Sequence, residues 1–441
     1  MTAVGDADDM TDDMTDDLYV DRVETLSRAT TRLSFDPFVD IDWDAPENAL
    51  DTNDPRWQLG PDTAPLAATD WYAEQPVKQR IDMGRWITAN TFKVGIQFEM
   101  ILIRGVLHRA GKLRNSDPVF RYLMHEITDE CKHIQMFQEF INRNDQDVPG
   151  MRRISRIIGP VVGFISGYLS IMLFIGVLCG EQPVHFQQTL LLRRGPQIPP
   201  LLNKITYIHL AEEARHITFA DDHLAEHIQH SGRLKRVAYA ILFPLFLRWL
   251  MGEIVTPPRS FARQFEVPRR TFKSAYWRSG HSRRMMAESA ADARRVADQL
   301  GIRTVWSRWI WRVLGIDGRV PRYRGEPNRL FEGSTVAQLV EIRTIVWKRI
   351  AAVAIMASVA LAVTPDGLRI IAVAAAGASV WAIYHALRER RGGVVGNQPF
   401  EWPRLLVWVA VCAIMIPVGG LIGLALVVFM ILALAEFMPT L

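Results

Sequence analysis

HLAEEARH, residues His209–His216, packs two histidines and two adjacent glutamates into eight positions. On a helix each residue turns the side chain by about 100°. His209, Glu213 and His216 then fall within an arc of about 60° and can point at one place. Glu212 falls beside that arc and reads as a surface residue or as one that orients a ligand. Three ligand-type side chains on one face could hold a metal ion. They could equally form the wet face of an ordinary helix, and only the rest of the chain decides.

The E-x-x-H inside this stretch, Glu213 to His216, recurs as Glu130 to His133 in DECKH. Residues three apart are neighbours on one helix face, so each motif offers a carboxylate and an imidazole to one ion. A further glutamate precedes each motif at nearly the same distance: Glu99 lies 31 residues before Glu130, and Glu181 lies 32 before Glu213. Both sit in apolar runs, VGIQFEMILI and FIGVLCGEQP. A carboxylate buried in such a run is costly unless it is paired or bound to metal. One glutamate from each of four helices, with a histidine three residues on in two of them, is the ligand set of a carboxylate-bridged dimetal bundle. Four carboxylates against two divalent ions leave the site near neutral. Mixed carboxylate and imidazole donors suit oxygen-reactive iron, ahead of manganese, over zinc or calcium.

The helix signals agree with a bundle. Proline at the start and glycine or another turn residue past the end mark segments at roughly 76–110, 118–143, 160–194 and 200–231. A fifth apolar helix is expected over about 236–253. The uncharged run from Gly159 to Gly180 has 22 residues, long enough for a membrane span. Because Glu181 follows it at a ligand position, it reads as a buried bundle helix. His223, His227 and His230 continue down the 200–231 helix. His223 stands roughly 10 Å along the axis from His216, too far to share its ion, so these three read as a solvated or locally paired face. His125, Glu126, Asp129 and His185 read as ligand-orienting neighbours or as surface salt bridges. The histidine-box pattern of membrane desaturases is disfavoured, since no His-His pair occurs.

The 441 residues carry 51 Lys+Arg and 47 Asp+Glu, and the charge is segregated. The first 17 residues hold seven aspartates and no basic residue. They read as a disordered acidic tail running into an irregular segment, together residues 1–75. With neither a basic nor an apolar leader, this is not a signal peptide. Cys131, Cys179 and Cys412 form no C-x-x-C pair, which argues against a disulfide framework or a cysteine zinc site. Residues 254–330 carry 17 Lys+Arg against six Asp+Glu. Within them VWSRWIWRVLG (305–315) has the tryptophan and arginine content of a helix at a lipid interface, and nucleic-acid binding is the disfavoured rival. Three uncharged runs follow: 350–365, 370–387 apart from His385, and the 31 residues from Leu405 to Ala435. The last is about 46 Å as a helix against a bilayer core of about 30 Å, so it tilts or breaks at Pro417. Three or four membrane segments are expected. Lys348, Arg349, Arg388, Arg390 and Arg391 flank them and place the large N-terminal part in the cytoplasm.

The motif order Glu99, then Glu130 with His133, then Glu181, then His209 with Glu213 and His216 resembles the p-aminobenzoate N-oxygenase (AurF-like) di-iron oxygenases. The third histidine separates that family from other ferritin-like oxygenases. The resemblance covers about residues 76–255. It implies a ferritin-like four-helix-bundle domain, two iron ions and O2 as co-substrate. It implies oxygen insertion into a small or lipophilic substrate, with N-oxygenation of an amine among the reactions. Glu130 and Glu213 would bridge the ions, Glu99 and His133 would complete one, and Glu181, His209 and His216 the other. No flavin, nicotinamide or iron–sulfur motif appears, so electrons come from an external reductase or ferredoxin. The sequence thus predicts an all-α chain: the 1–75 tail, the 76–255 di-iron domain, a basic linker with an interfacial helix over 256–345, and a multi-pass helical membrane domain over 346–441. Membrane lipid is the expected partner, nucleic acid is not, and a homodimer is allowed. A lipid-linked acyl desaturase or hydroxylase, and a non-catalytic iron-binding membrane protein, are the alternative readings.

Overall fold

A computed structural model of the chain describes residues 5–114 and 116–319, with side chains from residue 17 on. The expected membrane segments within 346–441, and the end of the basic linker, lie outside the described residues. Among the described residues all regular structure is helical. The helices are α1 (Gly5–Arg32), α2 (Asp70–Ala73, a single turn), α3 (Val77–Ala110), α4 (Pro118–Asn144), α5 (Arg153–Ser166), α6 (Ser170–Arg193), α7 (Pro200–Ile228) and α8 (Arg233–Val255). Shorter ones follow: α9 (Arg259–Gln264), α10 (Arg269–Lys273), α11 (Gly280–Ser289), α12 (Ala291–Gln299) and α13 (Arg308–Val313).

The core is two helical hairpins, α3 with α4 and α6 with α7, packed against each other through α3–α6 and α4–α7. The expected start signals operate. Asp117 accepts a hydrogen bond from the Val119 amide at 2.9 Å, and Pro118 takes the first position of α4. Asp145 ends that helix in the left-handed region, φ 49°. A buried aromatic cluster joins α3 to α4. Phe92 stacks on Phe137 and meets Phe140 edge-on, both at 4.7 Å between ring centres.

Four expectations need correction. The first concerns the acidic tail, which is helix α1 from Gly5. Its Val23, Ser27 and Thr30 are buried at 4 % exposure or less, and they dock it across α4 and α7. The docking stripe is made of small and polar residues, so apolar periodicity did not reveal it. The irregular segment beyond it does hold only short turns before α2.

The second concerns 160–194, which is two helices rather than one. The chain breaks at 167–169, where α5 presses against α3. A Cβ on Gly163 would lie 2.4 Å from the Ile101 carbonyl oxygen, and one on Gly167 2.7 Å from that of Gly105. Only glycine permits this approach. The run that could have spanned a membrane therefore turns within the protein.

The third is the basic linker, which is folded up to the last described residue. Arg294 is buried and donates to the backbone carbonyls of Ile316 and Arg319 at 2.8 and 2.9 Å. The fourth is the 305–315 stretch. Only Arg308–Val313 is helical, and Trp311 is buried 5.9 Å from the Phe243 ring. Trp311 therefore packs in the protein core, while Trp306 remains exposed. One described stretch, Arg233–Gln264, is long and apolar enough to cross a membrane; 78 % of its most apolar window is buried inside the protein, as in a core helix.

Candidate metal centre

The seven residues singled out in the sequence come from α3 (Glu99), α4 (Glu130, His133), α6 (Glu181) and α7 (His209, Glu213, His216). All are buried, none more than 2 % exposed. Their donor atoms fall into three overlapping groups: Glu99 with His133 and His209, Glu130 with Glu213 and His216, and Glu181 with His209 and Glu213. Within each group the donor atoms lie within 4.8 Å of one another.

At the centre, two glutamates each face two imidazoles. Glu130 presents Oε2 to His133 Nδ1 and Oε1 to His216 Nδ1, both at 3.3 Å. Glu213 presents Oε1 to His133 Nδ1 at 3.3 Å and Oε2 to His216 Nδ1 at 3.2 Å. The far nitrogens of both rings face carboxylates from the opposite motif. His133 Nε2–H donates to Glu212 Oε2 at 2.9 Å, and His216 Nε2 lies 3.6 Å from Asp129 Oδ2. Each such acid directly precedes its motif glutamate, so the arrangement has a local two-fold logic. Arg215 joins its halves, 3.4 Å from Asp129 and 3.6 Å from Glu212.

Glu212 is therefore no surface residue. It is 1 % exposed and also accepts the Phe35 amide at 3.1 Å, which ties the chain beyond α1 to the site. His223 is no solvated residue either. Its Nδ1 meets the Tyr19 hydroxyl and its Nε2 the Ser170 hydroxyl, both at 2.7 Å. Asp129 takes the ligand-orienting place. Glu126 is buried with both carboxylate oxygens lacking a hydrogen-bond partner.

His209 is held the other way round. Its Nδ1 bonds Gln188 Oε1 at 2.9 Å, and Nε2 points inward, 3.5 Å from Glu99 and 3.6 Å from Glu213. Its ring centre lies 4.6 Å from that of His133. This differs from the expected division, which put His209 with Glu181 and His216, apart from Glu99 and His133. Gln188 fixes the ring so that Nε2 reaches both Glu99 and Glu213, leaving His209 between the two halves. Sequence reading missed Gln188. It stands seven residues after Glu181, on the same face of α6.

The electrostatics show what the cluster demands. Burial and the neighbouring Glu130 push the Glu99 carboxyl well above its usual range. Burial and Glu213 do the same to Glu181. Burial opposes charge on His133 and His216, yet the surrounding carboxylates hold both well above the usual imidazole range. Burial and His133 push His209 down to about 3, leaving it neutral. The site therefore recruits protons to balance its acids, a task divalent cations perform better. Glu99 Oε2 is buried with no hydrogen-bond partner in the protein, and Glu130 Oε1 and Glu213 Oε1 face only imidazole nitrogens. Buried carboxylate oxygens facing inward imidazole nitrogens fit a pair of cations.

A cavity of about 180 Å³ reaches this cluster, touching Glu99, Glu181 and His209. Its walls are mostly apolar, Phe92, Phe98 and Leu250 among them, and it extends to the exposed Arg56. Gln188 lines it as well.

A family model described as p-aminobenzoate N-oxygenase AurF matches residues 16–301. Uncharacterised proteins of Mycobacterium tuberculosis and Mycobacterium bovis are 42 % identical over 311 residues, covering 70 % of this chain and 91 % of theirs. No solved structure matches.

Proposed function

Because the chain belongs to the p-aminobenzoate N-oxygenase (AurF) family, we propose that it is an O2-dependent di-iron oxygenase, with N-oxygenation of an amine as its leading reaction. The observation that carries this reading is the reach of Glu130 and Glu213, each with one oxygen toward His133 and the other toward His216. Glu130 and Glu213 would hold a pair of cations between them, with His133 and His216 as the imidazole donors. Glu99, Glu181 and His209 stand where the cavity meets the cluster and supply the remaining donors. When bound, a pair of iron ions supplies the binding and reductive activation of O2. The protein's own part is to fix the donors. Glu212 holds the far nitrogen of His133, and Gln188 fixes which nitrogen of His209 faces inward. The apolar cavity seats the substrate beside that end of the cluster and keeps bulk water out. To place one oxygen atom in the substrate and the other in water, the reaction would draw two electrons from an external donor and two protons from solvent. A cavity beside the cluster favours a catalyst over an iron store.

The test is anaerobic loading of the full chain with ferrous iron, followed by O2, with p-aminobenzoate as probe amine. About two iron ions per chain are expected, and O2 consumption should rise with the amine. Fewer than about one ion per chain, or uptake of many, would overturn the reading.

A further inference from the structure

One face of α5 carries a stripe of exposed apolar residues. Ile157, Val161, Phe164 and Tyr168, at successive spacings of four, three and four, are 64 %, 55 %, 52 % and 52 % exposed. The opposite face is the glycine seam against α3. Single exposed apolar residues are ordinary, but a stripe of four large ones along a helix marks an interaction site. The chain segments that form this face carry charge of one sign. Residues 152–169, together with residues 100–114 of the segment beneath, contain seven Lys+Arg and no acidic residue. Arg153 and Arg156 are exposed at the start of α5. At the other end Lys112 Nζ sits 3.5 Å over the Tyr168 ring.

We propose that this face of α5 docks on an anionic lipid bilayer, with its apolar side chains entering the interface and its basic rim meeting the headgroups. An amphipathic helix with basic flanks binds a membrane surface in this way, each basic residue adding attraction to anionic lipid. A second copy of the chain fits poorly, because in either orientation it brings basic ends together with no acid on α5 to meet them. The uncharged runs at 350–365, 370–387 and 405–435 could cover apolar surface but would leave the cations unmatched. Met151, just before α5, lines the cavity, as does Glu253, which accepts from Arg152 Nε at 2.7 Å. The docking helix and the cavity therefore meet at the start of α5. The α5 face is a second candidate for the lipid interface beside the tryptophan-rich stretch, where Val305 and Trp306 are exposed. This inference stands on the surface of α5 and is independent of the metal reading.

The experiment uses the full chain with p-benzoylphenylalanine at Val161 or Phe164. It is irradiated in phosphatidylcholine bilayers with and without phosphatidylglycerol and read by mass spectrometry. Lipid adducts at both positions, stronger with phosphatidylglycerol, are expected, and a probe at the exposed loop residue Val39 serves as the reference. Arg153→Glu with Arg156→Glu should cut the adduct in anionic bilayers by about tenfold. Crosslinks to a second chain or to residues 350–435 would overturn the proposal, and so would lipid labelling no greater at α5 than at Val39.

Discussion

Gln188 and Glu212 show how single side chains fix the site. Each accepts from the outer nitrogen of a histidine, so the inner nitrogen is free to face the carboxylates. They differ in kind: a neutral amide serves His209, whereas a carboxylate serves His133. Removing the amide, Gln188→Ala, frees the His209 ring and should weaken one of two ferrous-binding events by about ten- to a hundredfold. Gln188→Glu keeps an oxygen acceptor in place and should restore most of the affinity. Cobalt titration, followed by visible absorption, reads both; equal binding by Gln188→Ala and the unaltered protein would refute the assignment. His209→Ala should remove the same event outright while the helical circular dichroism is kept. The seven inward residues were legible in the sequence because chemistry and spacing coincide: two E-x-x-H motifs, two glutamates in apolar runs and one extra histidine. Gln188 was not, and Glu212 was left between a surface and a ligand-orienting place. An amide carries no charge signature, and whether a second glutamate faces out or in depends on Phe35 and His133 arriving from elsewhere in the chain.

Of the elements that carry the ligands, α3, α4 and α7 could be read almost to their ends, because prolines and turn residues bound them, and α6 only at its C-terminal end. The elements that cover them could not. α1 was hidden by its acidic start and its polar docking face, and the α5–α6 break by an unbroken apolar run. Two predictions belong to this scale. Gly163→Ala puts a methyl against the Ile101 backbone oxygen, which cannot move like a side chain. It should cost about 1–3 kcal/mol in denaturant unfolding. Gly176→Ala, with nothing within 4 Å of its added carbon, should be neutral or gain up to about 1 kcal/mol from helix propensity. Equal effects at the two positions would contradict the α3–α5 seam. For α1, the anchor is Tyr19 on the buried His223. Tyr19→Phe leaves a buried ring nitrogen without its partner, at about 1–3 kcal/mol. Hydrogen exchange should quicken in α1 and not in α4 or α7; uniform quickening would mean that α1 is no separate latch.

At the scale of the whole molecule, the metal cluster links stability to pH. His133 and His216 have folded pKa values well above the usual range. Each binds its proton more tightly folded than unfolded. Their stabilisation is complete below about pH 6.5 and is lost as pH rises through the folded values. Glu99 and Glu181 are also raised, by burial and neighbouring carboxylates. Their contribution is likewise present at low pH and fades as pH climbs from about 4.3 toward their folded values. Glu213 runs the other way. Although burial opposes its charge, His216 and His133 hold it well below the usual range, so its contribution is lost only in strong acid. Above neutrality the raised groups dominate, each proton lost on folding equilibrium changing stability by about 1.4 kcal/mol per pH unit. Chelator-treated protein should therefore lose melting temperature steadily from about pH 6.5 upward. Bound divalent ions take over the charge balance and displace those protons. The loaded protein should then melt at a nearly constant temperature across the same range, and loading should release protons into a weakly buffered solution. Parallel melting curves with and without ions, or loading without proton release, would show that the cations bind elsewhere than among these buried acids.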